Sequence, residues 1–209
     1  MEQFRSRLQS AARHMGLSLA DATVDQLLAY LALFAKWNRA YNLSAIRDPA
    51  EMLERHLVDS LSVVDLCGSG PIIDVGTGGG LPGIPLAICH PERPVTLLDA
   101  NGKKTRFLFQ VATELGLANV TVVNERVEAF RPQQKFDGVV SRAFASLRDM
   151  IDGSEHLLTS RGKFYAMKGK LPTDELSELP KGIKVEQTHP LTVPGCDAER
   201  HLIVLAPER

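Results

Sequence analysis

The stretch Ile73-Asp74-Val75-Gly76-Thr77-Gly78-Gly79-Gly80-Leu81-Pro82-Gly83-Ile84-Pro85 decides how this chain is read. A short apolar run, PIIDV (71–75), leads into it and a helix leads out. A strand, a glycine-rich turn and a helix N-terminus, in that order, make the context in which such a loop becomes a cofactor site. Glycines turn tightly and let a ligand approach the backbone. The triplet Gly78-x-Gly80-x-x-Gly83 fits the dinucleotide pattern, but Asp74 argues for another ligand. A carboxylate ahead of the glycines repels a pyrophosphate and attracts the ammonium and sulfonium of S-adenosyl-L-methionine. The D-x-G-x-G-x-G spacing of Asp74, Gly76, Gly78 and Gly80 is therefore read as a methyltransferase-type cofactor loop.

Outward from the loop, the chain alternates short apolar runs with helical stretches. The runs are PVTLLD (94–99), NVTVVN (119–124), FDGVVS (136–141) and GKFYAMK (162–168). Near-continuous apolar strands imply burial on both faces, as in a parallel sheet between helices. Lys103 to Leu115 is amphipathic, with Phe107, Leu108, Val111, Ala112 and Leu115 on one face and Gly116 closing it. IKVEQTHPL (183–191) and RHLIVLAP (200–207) follow without an obvious helix between them and are expected to pair antiparallel. The expectation is an α/β fold: the Rossmann-like sheet of class I S-adenosylmethionine-dependent methyltransferases, helices on both faces, with a C-terminal antiparallel hairpin. Asp99 ends the second strand, where an acid can accept from both ribose hydroxyls; it reads otherwise as a helix cap. After the third strand, Val127 and Glu128 fall where the adenine is lined, although Glu128 reads equally as a solvated helix-start acid.

Before residue 68 everything reads as helix. Thr23-Val24-Asp25-Gln26 has the form of a capping box, with Leu27, Leu31, Phe34 and Trp37 following at helical spacing. Asp48 with Pro49 and Glu51 marks a second helix start, continuing through Met52, His56, Leu57, Ser60, Leu61 and Val64. Gly68, Gly70 and Pro71 break the pattern. The expected organisation is an N-terminal helical extension, 1–67, packed on a cofactor-binding domain, 68–209.

Composition narrows the class. Of 209 residues, 44% are hydrophobic and 23% charged, a balance typical of a globular domain. No run approaches the roughly 18 apolar residues of a membrane span, and MEQFRSRLQSAARHMG lacks the apolar core of a signal peptide. Cys67, Cys89 and Cys196 lie far apart with no C-x-x-C pair, so neither a disulfide framework nor a metal site is expected, and a cytoplasmic setting is. The net charge of -1 means that any nucleic-acid partner is held by local basic patches.

The fourth strand runs into Ser141-Arg142-Ala143-Phe144-Ala145-Ser146. An Asn/Asp-Pro-Pro-aromatic motif, common in enzymes that methylate exocyclic base amines, is absent there, as is a Pro-Cys nucleophile for pyrimidine carbons. A ring nitrogen with a free lone pair, such as guanine N7, needs no proton removed, so orientation can supply much of the catalysis. Arg142, emerging at the catalytic end of the sheet, is the candidate catalytic group. It reads as a bond to the guanine edge, as a cofactor anchor, or as a surface salt bridge. Lys103, Lys104 and Arg106, together with Lys168 and Lys170, follow strand ends and are candidate RNA contacts. His56 reads as a packing residue.

These residues resemble the ribosomal RNA small-subunit methyltransferase G family, also called glucose-inhibited division protein B. The resemblance rests on Trp37-Asn38 with Asn42–Pro49, Arg55–Ser60, DVGTGGGLPGIPLAI (74–88), LLDANGKKTRFL (97–108), Arg126-Val127-Glu128 and SRAFASL (141–147). It covers most of the chain, and the loop running into Leu-Pro-Gly-Ile-Pro is its most family-specific part. Ala100 stands where serine is common, and Thr77 and Gly79 where Ser and Ala often occur; no acidic or basic group is lost. The resemblance implies a bacterial enzyme that methylates N7 of a guanine in 16S ribosomal RNA, with S-adenosyl-L-homocysteine as co-product. It implies cofactor contacts from Gly76, Leu81, Val127, Glu128 and Arg142. The partner is then 16S RNA, free or within the small subunit or its precursor, and the protein a monomer. Without the resemblance, the residues also fit a small-molecule or protein methyltransferase, or a non-catalytic RNA module that binds the cofactor. An NAD-dependent oxidoreductase is disfavoured by Asp74.

Overall fold

The computed structural model describes residues 2–208. Helices α1 (Glu2–His14) and α2 (Asp21–Tyr41) come first, followed by α3 (Pro49–Met52), a π-helical turn (Leu53–Val58) and α4 (Asp59–Leu61). The α/β part then runs β1 (Ile72–Val75), α5 (Gly83–Cys89), β2 (Val95–Leu98), α6 (Gly102–Glu114), β3 (Val120–Val123), β4 (Phe136–Ser141), α7 (Leu147–Ser154), β5 (Leu158–Lys168), α8 (Thr173–Ser177), β6 (Ile183–Pro190) and β7 (His201–Pro207). The seven strands form one sheet in the order β3-β2-β1-β4-β5-β7-β6. β1 to β5 are parallel, and β7 lies antiparallel to both β5 and β6, the expected hairpin.

Alternate side chains along each strand serve opposite faces, as the pleat requires. Ile72, Leu97, Val140 and Tyr165 join one core with the N-terminal helices, α5 and α6. Their neighbours Ile73, Leu98, Val139 and Phe164 join the other, with Leu147, Met150 and Ile151 of α7. That two-sided burial is why most positions of these strands are apolar. No helix of the described residues is long and apolar enough to cross a membrane.

Two N-terminal details differ from expectation. α2 begins at Asp21, so Thr23-Val24-Asp25-Gln26 lies inside the helix and forms no cap. Its polar members serve tertiary contacts instead: Asp25 pairs with Arg5 of α1, and Gln26 Nε2 donates to the Leu115 carbonyl at 3.1 Å, past the end of α6. Asp48 does cap the next helix, its carboxylate accepting from Ala50 N at 3.3 Å with Pro49 first inside. That helix widens into the π turn, an irregularity often found at functional sites. α2 itself ends on Asn42 in the left-handed region (φ 53°), a conformation asparagine tolerates. Fully buried Asn38 then folds the following loop, accepting from Ser44 N and donating to the Ile46 carbonyl, both at 2.7 Å.

Candidate functional site

The glycine loop starts where β1 ends, and Gly76 N and Thr77 N both donate to the Leu98 carbonyl, at 2.9 and 3.1 Å. Gly76 sits at φ 67°, and a Cβ there would come 2.8 Å from the Ala143 Cβ, so only glycine fits this turn against the strand β4 exit. Asp74 points into the loop's own turn. Its Oδ2 accepts from the Thr77 hydroxyl at 2.7 Å and from Gly83 N at 2.8 Å, clasping both ends of the loop. Its Oδ1 is buried without a hydrogen-bond partner among the described residues. Burial pushes the Asp74 carboxyl up to about 7 even though both of these hydrogen bonds and the Arg142 charge favour the carboxylate. From the other side, the buried Tyr30 hydroxyl of α2 donates to the Gly79 carbonyl at 2.7 Å.

Asp99 is arranged differently. Gly78 N donates to its Oδ2 and Asn101 N to its Oδ1, both at 2.9 Å, and Lys104 Nζ stands 3.8 Å away. Each oxygen retains a second lone pair for a ligand. Asp99 lines a cavity of about 250 Å³ together with Gly76, Val127 and Glu128, and with the apolar Val75, Leu98 and Phe144. Of the residues expected to hold the cofactor, the structure thus gathers Gly76, Asp99, Val127 and Glu128 around one space. Asp74, Gly78 and Gly80 shape the loop behind it, and Leu81, 5% exposed, belongs to the core.

Arg142 lines a second cavity, of about 280 Å³, while its neighbour Ala143 lines the first. Asp59, a buried carboxylate at the start of α4, also lines this second space. Arg142 Nη1 donates to Asp59 Oδ2 at 3.1 Å, and Arg200 Nε to Oδ1 at 2.9 Å. Two cations on one acid leave a net positive charge beside the cavity. His56, from the π turn, also faces it. Burial and the Arg142 charge lower His56 to about 4, so the ring is neutral at pH 7. A carbonyl can only accept, so His56 Nδ1 carries the proton and donates to the Arg55 carbonyl at 3.1 Å, leaving Nε2 to accept from the Ser44 hydroxyl at 2.7 Å. The ring also packs edge-on to Phe34, centroids 5.5 Å apart, which agrees with a packing role.

Among the basic candidates, Lys168 lines this second cavity but pairs with Glu175 at 3.1 Å, and Lys104 is drawn to Asp99. Lys103, Arg106 and Lys170 are exposed. Burial pushes the Cys67 and Cys89 thiols up to about 12, so neither is a nucleophile. Asp59, Arg200 and Ser44 were missed as site residues. Asp59 and Ser44 lie within the Arg55–Ser60 and Asn42–Pro49 stretches that carry the family resemblance, and Arg200 lies in none of them.

A family model described as rRNA small subunit methyltransferase G matches residues 23–203. The chain belongs to this family. It is 54% identical over 206 residues to the ribosomal RNA small subunit methyltransferase G of Ectopseudomonas mendocina, covering 98% of this chain and 96% of the relative. To the protein of the same name from Saccharophagus degradans it is 57% identical over 203 residues, 97% of this chain and 91% of that one. Family membership makes the chain an S-adenosylmethionine-dependent methyltransferase. Solved structures share its fold at low identity. The glycopeptide N-methyltransferase MtfA complexed with S-adenosylmethionine matches with TM-score 0.62 at 14% identity, over 72% of this chain and 86% of that one. TrmN from Thermus thermophilus matches at 0.58 and 19%, over 75% and 53%.

Proposed function

We propose that this family member transfers a methyl group from S-adenosylmethionine to N7 of a guanine in 16S ribosomal RNA, using the two adjoining cavities as cofactor and acceptor sites. The observation that carries the reading is the shared wall: consecutive residues Arg142 and Ala143 line different cavities at the end of β4.

The first cavity suits an adenosyl group. Gly76 leaves a floor without a side chain, Val127 and Phe144 offer apolar surface for a base, and the free lone pairs of Asp99 suit a ribose diol. Behind the loop, the unpartnered Oδ1 of Asp74 favours a cationic ligand nearby. Bound S-adenosylmethionine supplies an electrophilic methyl on a sulfonium.

Guanine N7 attacks with an in-plane lone pair, so no proton leaves before transfer. His56 in the second cavity is accordingly a poor general base: burial and the Arg142 charge hold it at about 4, and its Nε2 already accepts from Ser44. Arg142 keeps N–H groups beyond the one given to Asp59, and these can donate to guanine O6 while leaving N7 open, or hold the cofactor's carboxylate. Methylation leaves a positive charge on the base. Asp59, between two guanidiniums, lowers the repulsion that charge would meet.

In this reading residues 1–67 are an extension that helps wall the acceptor site, and 68–209 the domain that binds the cofactor. Lys103, Lys104, Arg106, Lys168 and Lys170 are its RNA contacts. The substrate is 16S RNA within the small subunit or its precursor, met by a monomer in the cytoplasm. The test is transfer of labelled methyl from S-adenosylmethionine to small subunits lacking native modification. Label at one guanine of 16S RNA supports the reading; cofactor binding without label in RNA overturns it.

A further inference from the structure

A further basic, exposed surface lies beside the two cavities. From Gln26 to Arg47 the chain has no acidic residue but carries Lys36, Arg39 and Arg47. From Ala100 to Thr113 it again has none but carries Lys103, Lys104 and Arg106. In a protein with 24 basic and 25 acidic side chains, that is a marked local segregation.

The fold sets these stretches side by side. Trp37 of α2 packs on Phe107 of α6 with centroids 5.5 Å apart, and Phe34 packs on it at 5.8 Å. Lys103 and Lys104 precede Phe107 by four and three positions, so they lie on the helix surface beside that contact. Among the described residues, Lys36, Arg39, Lys103 and Arg106 have no carboxylate within 4.0 Å. Arg47 is tied only to the neutral Asn38 carbonyl and Asn42 side chain, so its charge is uncompensated.

Aromatic rings sit among these charges. Only four large apolar side chains of the described residues are well exposed, and two are here: Tyr41 at 47% and Phe109 at 55%. Tyr41 lies against Trp37 with centroids 4.9 Å apart and planes tilted by 30°, which steadies its ring while leaving surface open. A solvated helix face needs no exposed aromatics. Cations tracking a backbone with exposed rings for bases is how single-stranded nucleic acid is held. The surface also borders both cavities, through Ile46 on the acceptor side and through Asp99 and Ala100, ahead of α6, on the cofactor side.

We propose that the C-terminal half of α2, the 42–47 loop and the first turns of α6 form one RNA-docking surface, in which Tyr41 stacks on a base flanking the target guanine while Lys36, Arg39 and Arg47 extend the phosphate contacts of Lys103 and Arg106. This rests on the RNA reading above and adds α2 and Tyr41 to it.

The test uses the full chain, unmodified small subunits and a short single-stranded RNA. Methyl transfer, RNA binding against salt, and calorimetric titration with S-adenosylmethionine are compared for wild type, K36E/R39E, Tyr41→Ala and Tyr41→Phe. All the substituted side chains are exposed, so melting should stay at wild-type temperature. K36E/R39E should raise the KM for subunits about tenfold with little change in kcat, and flatten the log–log salt dependence by about one to two. Tyr41→Ala should weaken RNA binding about five- to a hundredfold, and Tyr41→Phe should restore it. Trp37, the single tryptophan, should change its fluorescence when the short RNA binds wild type, and less so in Tyr41→Ala. Unchanged KM and salt dependence in both variants, beside an active wild type, would overturn the surface alone. A wild type that binds S-adenosylmethionine but no RNA would overturn the functional reading and the surface with it.

Discussion

The two cavities meet at one wall yet are built in opposite ways. The cavity proposed for the cofactor is local. Its loop lies between consecutive elements, its anchors are backbone amides, and its acids, Asp74 and Asp99, are fixed by N–H groups of the loop itself or of the turn into α6. The cavity proposed for the acceptor is assembled from distant side chains. Asp59 reaches residues 83 and 141 positions away in sequence, and these long-range ion pairs join the helical extension, the exit of β4 and the approach to β7. A local site should tolerate damage to the rest of the fold and lose ligand when its own groups change. An assembled site should lose stability and activity together.

The sharpest way to break that contrast is Asp59→Ala. It leaves Arg142 and Arg200 without their shared partner, and stability should fall by about 3 kcal/mol, the lower part of the range for breaking a buried pair because both guanidiniums reach water. Methyl transfer should fall with it. An undiminished melting temperature would mean that the acceptor cavity is not held by this network.

Asp99→Ala should instead weaken S-adenosylmethionine binding by about 1–3 kcal/mol in a calorimetric titration, with the melting temperature of the free protein little changed. A large loss of stability would show that Asp99 works mainly as a structural clasp for Gly78 and Asn101. Gly79→Ala tests whether the local loop is independent of the extension. An added Cβ would come 2.2 Å from the Phe34 ring, so overpacking should cost about 1–2 kcal/mol. Phe34→Leu should recover part of it in a double-mutant cycle; additive losses would separate the two regions.

A pH-dependent effect concerns Asp74. Its folded carboxyl titrates at about 7 against an ordinary 3.8. Between those values the folded protein holds a proton that the unfolded chain has released, so stability falls as pH rises through that window and the penalty is complete above about 7. Asp74→Asn carries no such proton. Its melting temperature without ligand should gain on wild type between pH 5 and pH 8; parallel curves would show that Asp74 is not strained by burial.

The same contrast explains what could be read in advance. Strands β1 to β5 were legible because most of their length is covered on both faces, which makes runs such as Ile72–Val75 apolar apart from Asp74 at the loop end. Gly76 and Asp99 were legible because the loop and the turn that follows β2 carry their own chemistry in adjacent positions. The Thr23–Gln26 box misled because Asp25 and Gln26 are claimed by Arg5 and the Leu115 carbonyl, partners that no local pattern reveals. The widened turn at Leu53–Val58 has no composition that announces it. Lys168 looked like an open cation because its partner Glu175 comes from α8. Arg200 is silent in sequence for the same reason, and Asp59 is signalled only by the resemblance: their meaning is in the pairing.

The central claim is that the two cavities jointly deliver a methyl group to guanine N7 with Arg142 at their border. Its most direct test treats unmodified small subunits with S-adenosylmethionine and either wild type or Arg142→Ala, then reduces the RNA with borohydride and cleaves it with aniline, which breaks the strand at 7-methylguanosine. The account predicts one cofactor-dependent break in 16S RNA with wild type, formed about a hundredfold more slowly or worse by the folded Arg142→Ala protein. Methyl incorporation without strand breakage, or equal breakage by the variant, would contradict it.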